Sequence, residues 1–468
     1  MKLEEYSIPE RYVYQSRRDK LATALNGAVG LICAGQPQPN NFRANTYHPF
    51  RASSHFLYLV GQSIPSAVLW VQEGQTRLYS TPPSTADALW HGPSPTLQAL
   101  GVELGCEVRS IEQLSSDLIL GGEIFAVPSV HADTSGWLTT RLKRTVSLER
   151  DAPLVDALID LRLIHDEYAI NELRTAVQLS VHAHKLGMRV TRPGLKASQI
   201  RAVMEGYLMA QGLSPSYTPI ITPAGEVLHN HHHDIYLRDG DLLLVDFGAE
   251  TRKGWAGDLT RTWPVNGKFS STQRDIYQIV EHALSSATQV IAPDIEYREV
   301  HRTACISLLE GLKGIGLIRG DIQELLEANV HALFFPHGVG HLLGLDVHDM
   351  EDFGDRAGYA DNRKRDARFG WGYLRLDRTL KPGMAVTVEP GFYQVGALLQ
   401  APELVHPTAA QYIDWQRLAH FKDVRGIRLE DDVLVTQGGH EVLSKELPTF
   451  QSKIERLVGT AELPKHLR

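Results

Sequence analysis

Four acidic residues of this chain stand where acids are costly. Asp246 lies inside the apolar run "LLLVDFGA", and Asp258 just ahead of the strand-like "LTRTWPV". Glu389 follows "AVTV", and Glu430 sits within "IRLEDD". Taken singly, each reads as a strand-end acid satisfied by hydrogen bonds. Brought together, four buried carboxylates repel one another and require cations. An oxygen-rich set with one imidazole suits two divalent ions, Mn²⁺ before Co²⁺ or Zn²⁺. The imidazole candidates are His337, His341 and His348, spaced by four and seven in the Gly-rich "FFPHGVGHLLGLDVHD". A second group, "VLHNHHHDIY", packs His229, His231, His232 and His233 into five positions. If that stretch is extended, its side chains alternate between two faces. A row along one strand is not a self-contained metal shell, which gathers its ligands from separate elements.

The elements that must position these residues follow from hydrophobic period. In the first third, short apolar runs ("GAVGLICAG", "HFLYLVG", "SAVLWVQEG", "TRLYSTPP", "EIFAVPS") alternate with helical patterns such as residues 11–25, which indicates an α/β domain. Near residue 152 a proline breaks the pattern and a long helix begins. Ile170, Leu173, Val177, Val181 and Met188 hold one face of it until "TRPG" ends it. "SSTQRDIYQIVEHALSSATQVIAP" carries a broad apolar stripe, with Ser271 or Thr272 as N-cap, and "EVHRTACISLLEGL" predicts another helix. Strand-like runs then deliver each acid, and alternation puts Arg428 and Glu430 on one face. The remainder is therefore α+β, with polar inserts at 352–380 and 397–424 that read as rims of a site. The expected domains are 1–155 and 156–468.

At 468 residues, 43% hydrophobic and 22% charged, the chain has the make-up of a soluble globular protein with large cores. A net charge of −8 without a long basic run excludes nucleic acid as an expected partner. Three scattered cysteines, no signal-like N-terminus and no membrane-length apolar stretch make a cytoplasmic enzyme the expectation.

The set "VDFGAE", "GDLTRTWPVNG", "HGVGHLLGLDVHD", "VTVEPGFY" and "RLEDDVLV", in that order, resembles the Xaa-Pro peptidases, prolidase and aminopeptidase P. The likeness runs from about residue 160 to 445. "NFRANTYHPFRASSHFLYLVG" and "TADALWHGP" are similar to the creatinase-type N-terminal domain of the same enzymes. The resemblance implies a smaller α/β N-terminal domain ahead of an α+β pita-bread catalytic domain, and a homo-oligomer. It implies two divalent ions held by Asp246, Asp258, His341, Glu389 and Glu430, with Glu389 also shuttling a proton and Arg428 steadying the carboxylates. His229, His337 and His348 would face the substrate, while His231, His232 and His233 would line the rim or meet solvent. Asp246 and Asp258 are one position further apart than the family pattern, which a longer turn or a bulge at "ETRKG" would absorb.

A fold-mate that has lost catalysis would be a binding protein, but all five ligand positions are filled. Metal-free creatinase-type enzymes lack this carboxylate set, and methionine aminopeptidase lacks the large N-terminal domain. Between the proline-specific activities, "YLRLDRTLKPGMAVTVEPGFYQVGALL" and "IDWQRL" look prolidase-like. They place Arg375 where prolidases bind the free carboxylate of an Xaa-Pro dipeptide. The expectation is thus Xaa-Pro dipeptidase activity, with aminopeptidase P acting on longer peptides as the alternative.

Overall fold

The computed structural model describes residues 9–38, 49–120 and 122–465. Residues 1–8, and residues 41–48 of the segment "NFRANTYHPF", lie outside the described residues. The chain forms two compact units, Met1–Ile164 and His165–Arg468. The division falls after Ile164 rather than after residue 155, because the helix Ala152–Leu163 packs on the first helix and last strand of the first unit.

The first unit runs α1 (Glu10–Ala24), β1 (Val29–Cys33), α2 (Ser54–Val60), β2 (Val68–Val71), β3 (Arg77–Ser80), α3 (Thr85–His91) and α4 (Leu97–Leu104). It continues with β4 (Glu107–Ser110), α5 (Leu114–Leu120), β5 (Ile124–Ala126), α6 (Ala132–Leu142) and α7 (Ala152–Leu163). The sheet order is β4-β3-β2-β1-β5, antiparallel in the middle and parallel at both outer pairs. Val29, Leu31, Trp70, Tyr79 and Leu138 form the core beneath it. "HFLYLV", expected among the strand-like runs, is the helix α2. Ser53 Oγ accepts from the Phe56 N–H, Gly61 ends the helix at φ +76, and every residue between is buried. A short run that is buried all round carries no period, so helix and strand look alike in sequence. Buried Arg17 and Arg18 of α1 donate to the carbonyls of Tyr58 and Leu59 in the last turn of α2.

The second unit opens with α8 (Glu167–Val190) and α9 (Ala197–Met209), followed by β6 (Ser214–Pro215), β7 (Ile220–Thr222), β8 (Leu242–Asp246), β9 (Ala249–Glu250) and β10 (Thr260–Pro264). Then come α10 (Ser271–Gln289), α11 (Tyr297–Gly314) and α12 (Ile322–Glu327). Strands β11 (Ala385–Val388), β12 (Gly391–Tyr393), β13 (Gly426–Arg428), β14 (Asp431–Thr436) and β15 (Gly439–Val442) complete it. The long helix expected from residue 152 is two, because Asp166 caps a fresh start by accepting from the Ala169 N–H at 2.8 Å. The N-cap of α10 is Ser270 rather than Ser271 or Thr272, in a reciprocal capping box with Gln273. Small sheets have the orders β10-β8-β7, β11-β14-β15 and β12-β13, and single bridges add Glu430 beside Thr260 of β10 and Leu342 beside Val386 of β11. The polar positions of β10 are buried along with its apolar ones. Arg261 is buried against Asp431 at 2.6 Å, and Thr262 donates to the Arg428 carbonyl. The inserts hold only short helical turns such as Asp355–Gly358 and Trp415–Leu418. Among the described residues no helix is long and apolar enough to cross a membrane.

Candidate metal centre and active site

Strand pairing brings the acids together. In β8 and β10, Asp246 lies opposite Thr260, and beyond them Glu250 faces Ala256 in the same register. Hence no bulge separates the two aspartates. The segment between them reverses in the turn Arg252–Lys253–Gly254, closed by the Thr251 N–H to the Trp255 carbonyl with Gly254 at φ +88. Glu430 joins from the neighbouring segment: its N–H donates to the Thr260 carbonyl at 2.9 Å, and its Oε2 accepts from Thr260 Oγ1 at 2.7 Å. Glu389 and His341 arrive on adjacent chains, tied by the Glu389 N–H to the Val339 carbonyl and the Thr387 N–H to the His341 carbonyl.

The five expected ligands converge. Ligand atoms of Asp258, His341 and Glu430 all lie within 4.8 Å of one another. His341 Nε2 is 3.4 Å from Asp258 Oδ2 and 3.9 Å from Glu389 Oε1. Its Nδ1 lies 2.9 Å from the Leu342 carbonyl, which fixes the proton there and leaves the Nε2 lone pair facing the acids. Arg428 donates to Asp246 Oδ2 at 2.6 Å.

One guanidinium and one imidazole cannot balance four clustered carboxylates, three of them buried and Glu389 nearly so. Burial, then the facing Asp258, Glu389 and Asp246, hold the Glu430 carboxyl well above its ordinary range. Burial pushes Glu389 up to about 7, with Asp258 and Asp246 adding to it against His341 and Arg428. Asp246 is likewise raised by burial, against the pull of Arg428. Such a cluster stays ionised at neutral pH only around added positive charge, so this donor set fits divalent cations.

The remaining expected residues border the same cavity of about 540 Å³, which His229, His337, His348, Arg375 and Arg428 line together with the four acids and His341. His229 is exposed at its edge. "VLHNHHHDIY" is a turn and loop rather than a strand, so the alternation does not apply. His231 and His232 face solvent, but His233 does not line the rim. It is buried, with Nε2 3.0 Å from the Pro219 carbonyl and Nδ1 accepting from Arg201 at 3.1 Å. His337 is held at both nitrogens, 2.8 Å from the Gly338 carbonyl and 2.9 Å from Tyr393 Oη, and Tyr393 Oη accepts from Arg428 at 3.1 Å. Burial takes His337 down to about 3, so its ring is neutral. It positions this chain of bonds and has no ring nitrogen left for substrate here.

Arg375 bonds Glu351, whose other oxygen lies 3.1 Å from His348 Nδ1. Although burial opposes it, the bonds from His348 and the charge of Arg375 bring Glu351 down to about 2. Of the two guanidiniums lining the cavity, each is therefore matched to a carboxylate.

Three participants had no clear sequence signal. Tyr217 Oη lies 2.5 Å from Asp246 Oδ1 and 2.6 Å from Asp258 Oδ1, pinning the two acids at one point from a loop without period. Tyr393 stands in the "EPGFY" motif but had no role assigned. Asp432, the last acid of "LEDD", accepts from the Asp258 N–H at 2.9 Å and has its other oxygen unpartnered. A third consecutive acid in an apolar strand was the available clue.

Residues 171–437 match the model of "Metallopeptidase family M24", and residues 14–123 match "Aminopeptidase P, N-terminal domain". The Xaa-Pro aminopeptidase of Escherichia coli K12 is 30% identical over 96% of this chain and 98% of its own length. A probable Xaa-Pro aminopeptidase of Verticillium alfalfae is 32% identical over 95% of both. The structure of Pseudomonas aeruginosa aminopeptidase PepP superposes with a TM-score of 0.80 at 28% identity, covering 96% of this chain and 98% of that one. Zinc-substituted E. coli aminopeptidase P in complex with product gives 0.78 at 28% identity, over 97% and 98%. With its family model covering more than half the sequence and near-full-length relatives at this identity, the chain belongs to metallopeptidase family M24, as a two-domain member with an aminopeptidase P N-terminal domain and a pita-bread catalytic domain.

Proposed function

We propose that this protein is an Xaa-Pro aminopeptidase, removing the first residue from peptides whose second residue is proline. This is the alternative of the sequence reading rather than its dipeptidase expectation. The observation that carries it is the Arg375–Glu351 pair. A dipeptidase must meet the carboxylate of the proline with an uncommitted cation, and the guanidinium nominated for that task is already matched. The names of the near-full-length relatives support the same choice.

Asp246, Asp258, His341, Glu389 and Glu430 would hold the two divalent ions, Mn²⁺ in our proposal. When bound, the ions supply Lewis acidity, polarising the scissile carbonyl and acidifying water. This chain's own residues do the rest. Glu389 takes a proton and returns it to the leaving proline nitrogen. That nitrogen carries no hydrogen in the substrate, so a donor is obligatory for departure. Tyr217 and Arg428 hold Asp246 and Asp258 in place, and Tyr393 links Arg428 to His337. His348 has Nδ1 engaged by Glu351, leaving Nε2 for the substrate, and His229 faces the peptide from the open edge. A homo-oligomer and a cytoplasmic location belong to the same proposal, which light scattering and cell fractionation check.

Side-by-side kinetics on Xaa-Pro, Xaa-Pro-Yaa and longer peptides with Mn²⁺ test the reading. Efficient cleavage of the tripeptide and longer peptides, with dipeptides poor, is the expected result. Cleavage restricted to dipeptides would return the assignment to prolidase.

A further inference from the structure

A second cluster of metal-ligating side chains lies in the second unit, apart from the carboxylates. His301 and Cys305 are one turn apart on α11, so both project from the same face. His331, from the short helical turn Val330–Leu333, completes a triad whose ligand atoms lie within 4.8 Å of one another. All three side chains are fully buried. Cys305 Sγ lies 3.6 Å from His301 Nε2. A metal bonded to sulfur at about 2.3 Å and to nitrogen at about 2.0 Å gives that separation at an angle between tetrahedral and trigonal.

The independent observation is His331. Both of its ring nitrogens are buried without a hydrogen-bond partner. An imidazole always carries at least one N–H and one lone pair when neutral, so both are left unmet at substantial cost. A thiol donating to His301 accounts for Cys305 and His301 but does nothing for His331. A ligand among the three meets all of them.

We propose that His301, Cys305 and His331 form a three-coordinate site for one Cu⁺ ion. Soft thiolate with imidazole selects thiophilic ions over Mn²⁺ or Mg²⁺. Charge decides among these. Around the triad stand the rings of Phe335 and Trp371, and the nearby charges, Arg368 and Asp366, pair with each other. One thiolate neutralises a monovalent ion completely, whereas Zn²⁺ would leave an unmatched positive charge in an apolar setting. Cu⁺ also accepts three ligands without a water. Binding exchanges the thiol proton for the metal: Cu⁺ bonds to Sγ, the S–H bond breaks, and H⁺ leaves to solvent with no change of oxidation state. The site would brace α11 against the turn Val330–Leu333, with Trp371 packed edge-on against both imidazoles and close to Phe369 and Tyr373 of the cavity wall.

The test uses the full chain with Cys33→Ser and Cys106→Ser, so that Cys305 is the remaining thiol, and with the carboxylate site saturated with Mn²⁺. The protein is refolded without oxygen in the presence of Cu⁺, and its copper content, X-ray absorption spectrum and melting temperature are measured. One Cu⁺ per chain, one sulfur and two nitrogen neighbours, and a rise in Tm of ~5 °C or more are expected. Cys305→Ser and His331→Leu should each weaken Cu⁺ binding by ~100-fold or more. His331→Leu should leave the copper-free Tm unchanged or higher, since it removes two unmet polar atoms. The absorption spectrum of the intact triad keeps the proposal testable even if Cys305→Ser fails to fold. Substoichiometric Cu⁺, a spectrum without a sulfur neighbour, copper retained by Cys305→Ser, or Zn²⁺ bound in preference to Cu⁺ would each overturn it.

Discussion

At the scale of single residues, the four clustered acids were legible because they violate their surroundings. A carboxylate inside "LLLVDFGA" or after "AVTV" asks for a partner, and four such anomalies ask for the same one. Tyr217 and Glu351 violate nothing, so no local pattern exposes them. Glu351 nonetheless decides how Arg375 is read. It occupies the guanidinium that would otherwise meet a proline carboxylate, and it holds His348 as well. Glu351→Gln should release Arg375 toward the cavity. A charge-assisted bond contributes about 1.5–3 kcal/mol, so kcat/KM for Xaa-Pro dipeptides should rise roughly tenfold or more relative to Xaa-Pro-Yaa. Arg375→Ala in the otherwise unchanged protein should barely alter dipeptide turnover. Equal dipeptide and tripeptide rates in both variants and in the parent would show that this pair does not set substrate length.

At the scale of elements, legibility tracked periodicity. The amphipathic α8, α10 and α11 were visible from their stripes, whereas α2 was not, being buried on every side. The hairpin β8–β10 was legible as two strands, but the device that sets its spacing was not. Gly248 and Gly257 lie across it so closely that a Cβ on Gly248 would meet the Gly257 carbonyl oxygen at 1.7 Å. Only the missing side chain lets the backbones approach, and these two glycines lie between Asp246 and Asp258 in the chain. Gly248→Ala must therefore part the strands and move the two carboxylates apart. Misplacing support around a metal ligand costs about 10- to 100-fold in affinity. Mn²⁺ titration of the variant should show a loss in that range, with peptidase activity recovered in part at high Mn²⁺. An unchanged Mn²⁺ affinity would mean that the approach of these glycines does not position the ligands.

At the scale of the whole molecule, composition foretold a negatively charged globular protein but not that its stability is bound to its site. The cluster makes it so. Glu389 titrates near 7 in the folded chain against 4.5 ordinarily, with burial the main cause. Between those pH values the folded state binds more protons than the unfolded one, so stability falls as pH rises. This one group is worth about 3 kcal/mol across the window. Glu430 and Asp246, also raised, act in the same direction. Asp258 is lowered instead: burial raises it, but His341 and Tyr217 outweigh that, so its contribution is lost only below the ordinary aspartate range. Divalent ions bind the ionised cluster of the folded state and displace its protons, so their stabilisation must grow with pH. Melting curves of metal-stripped and Mn²⁺-loaded protein from about pH 5 to about pH 8 measure this directly. The stripped protein should lose Tm steadily as pH rises, by at least several degrees over the range, while the loaded protein holds level and the gap widens. A stripped protein whose Tm is flat or rises between those limits would mean that the four carboxylates do not share one buried field.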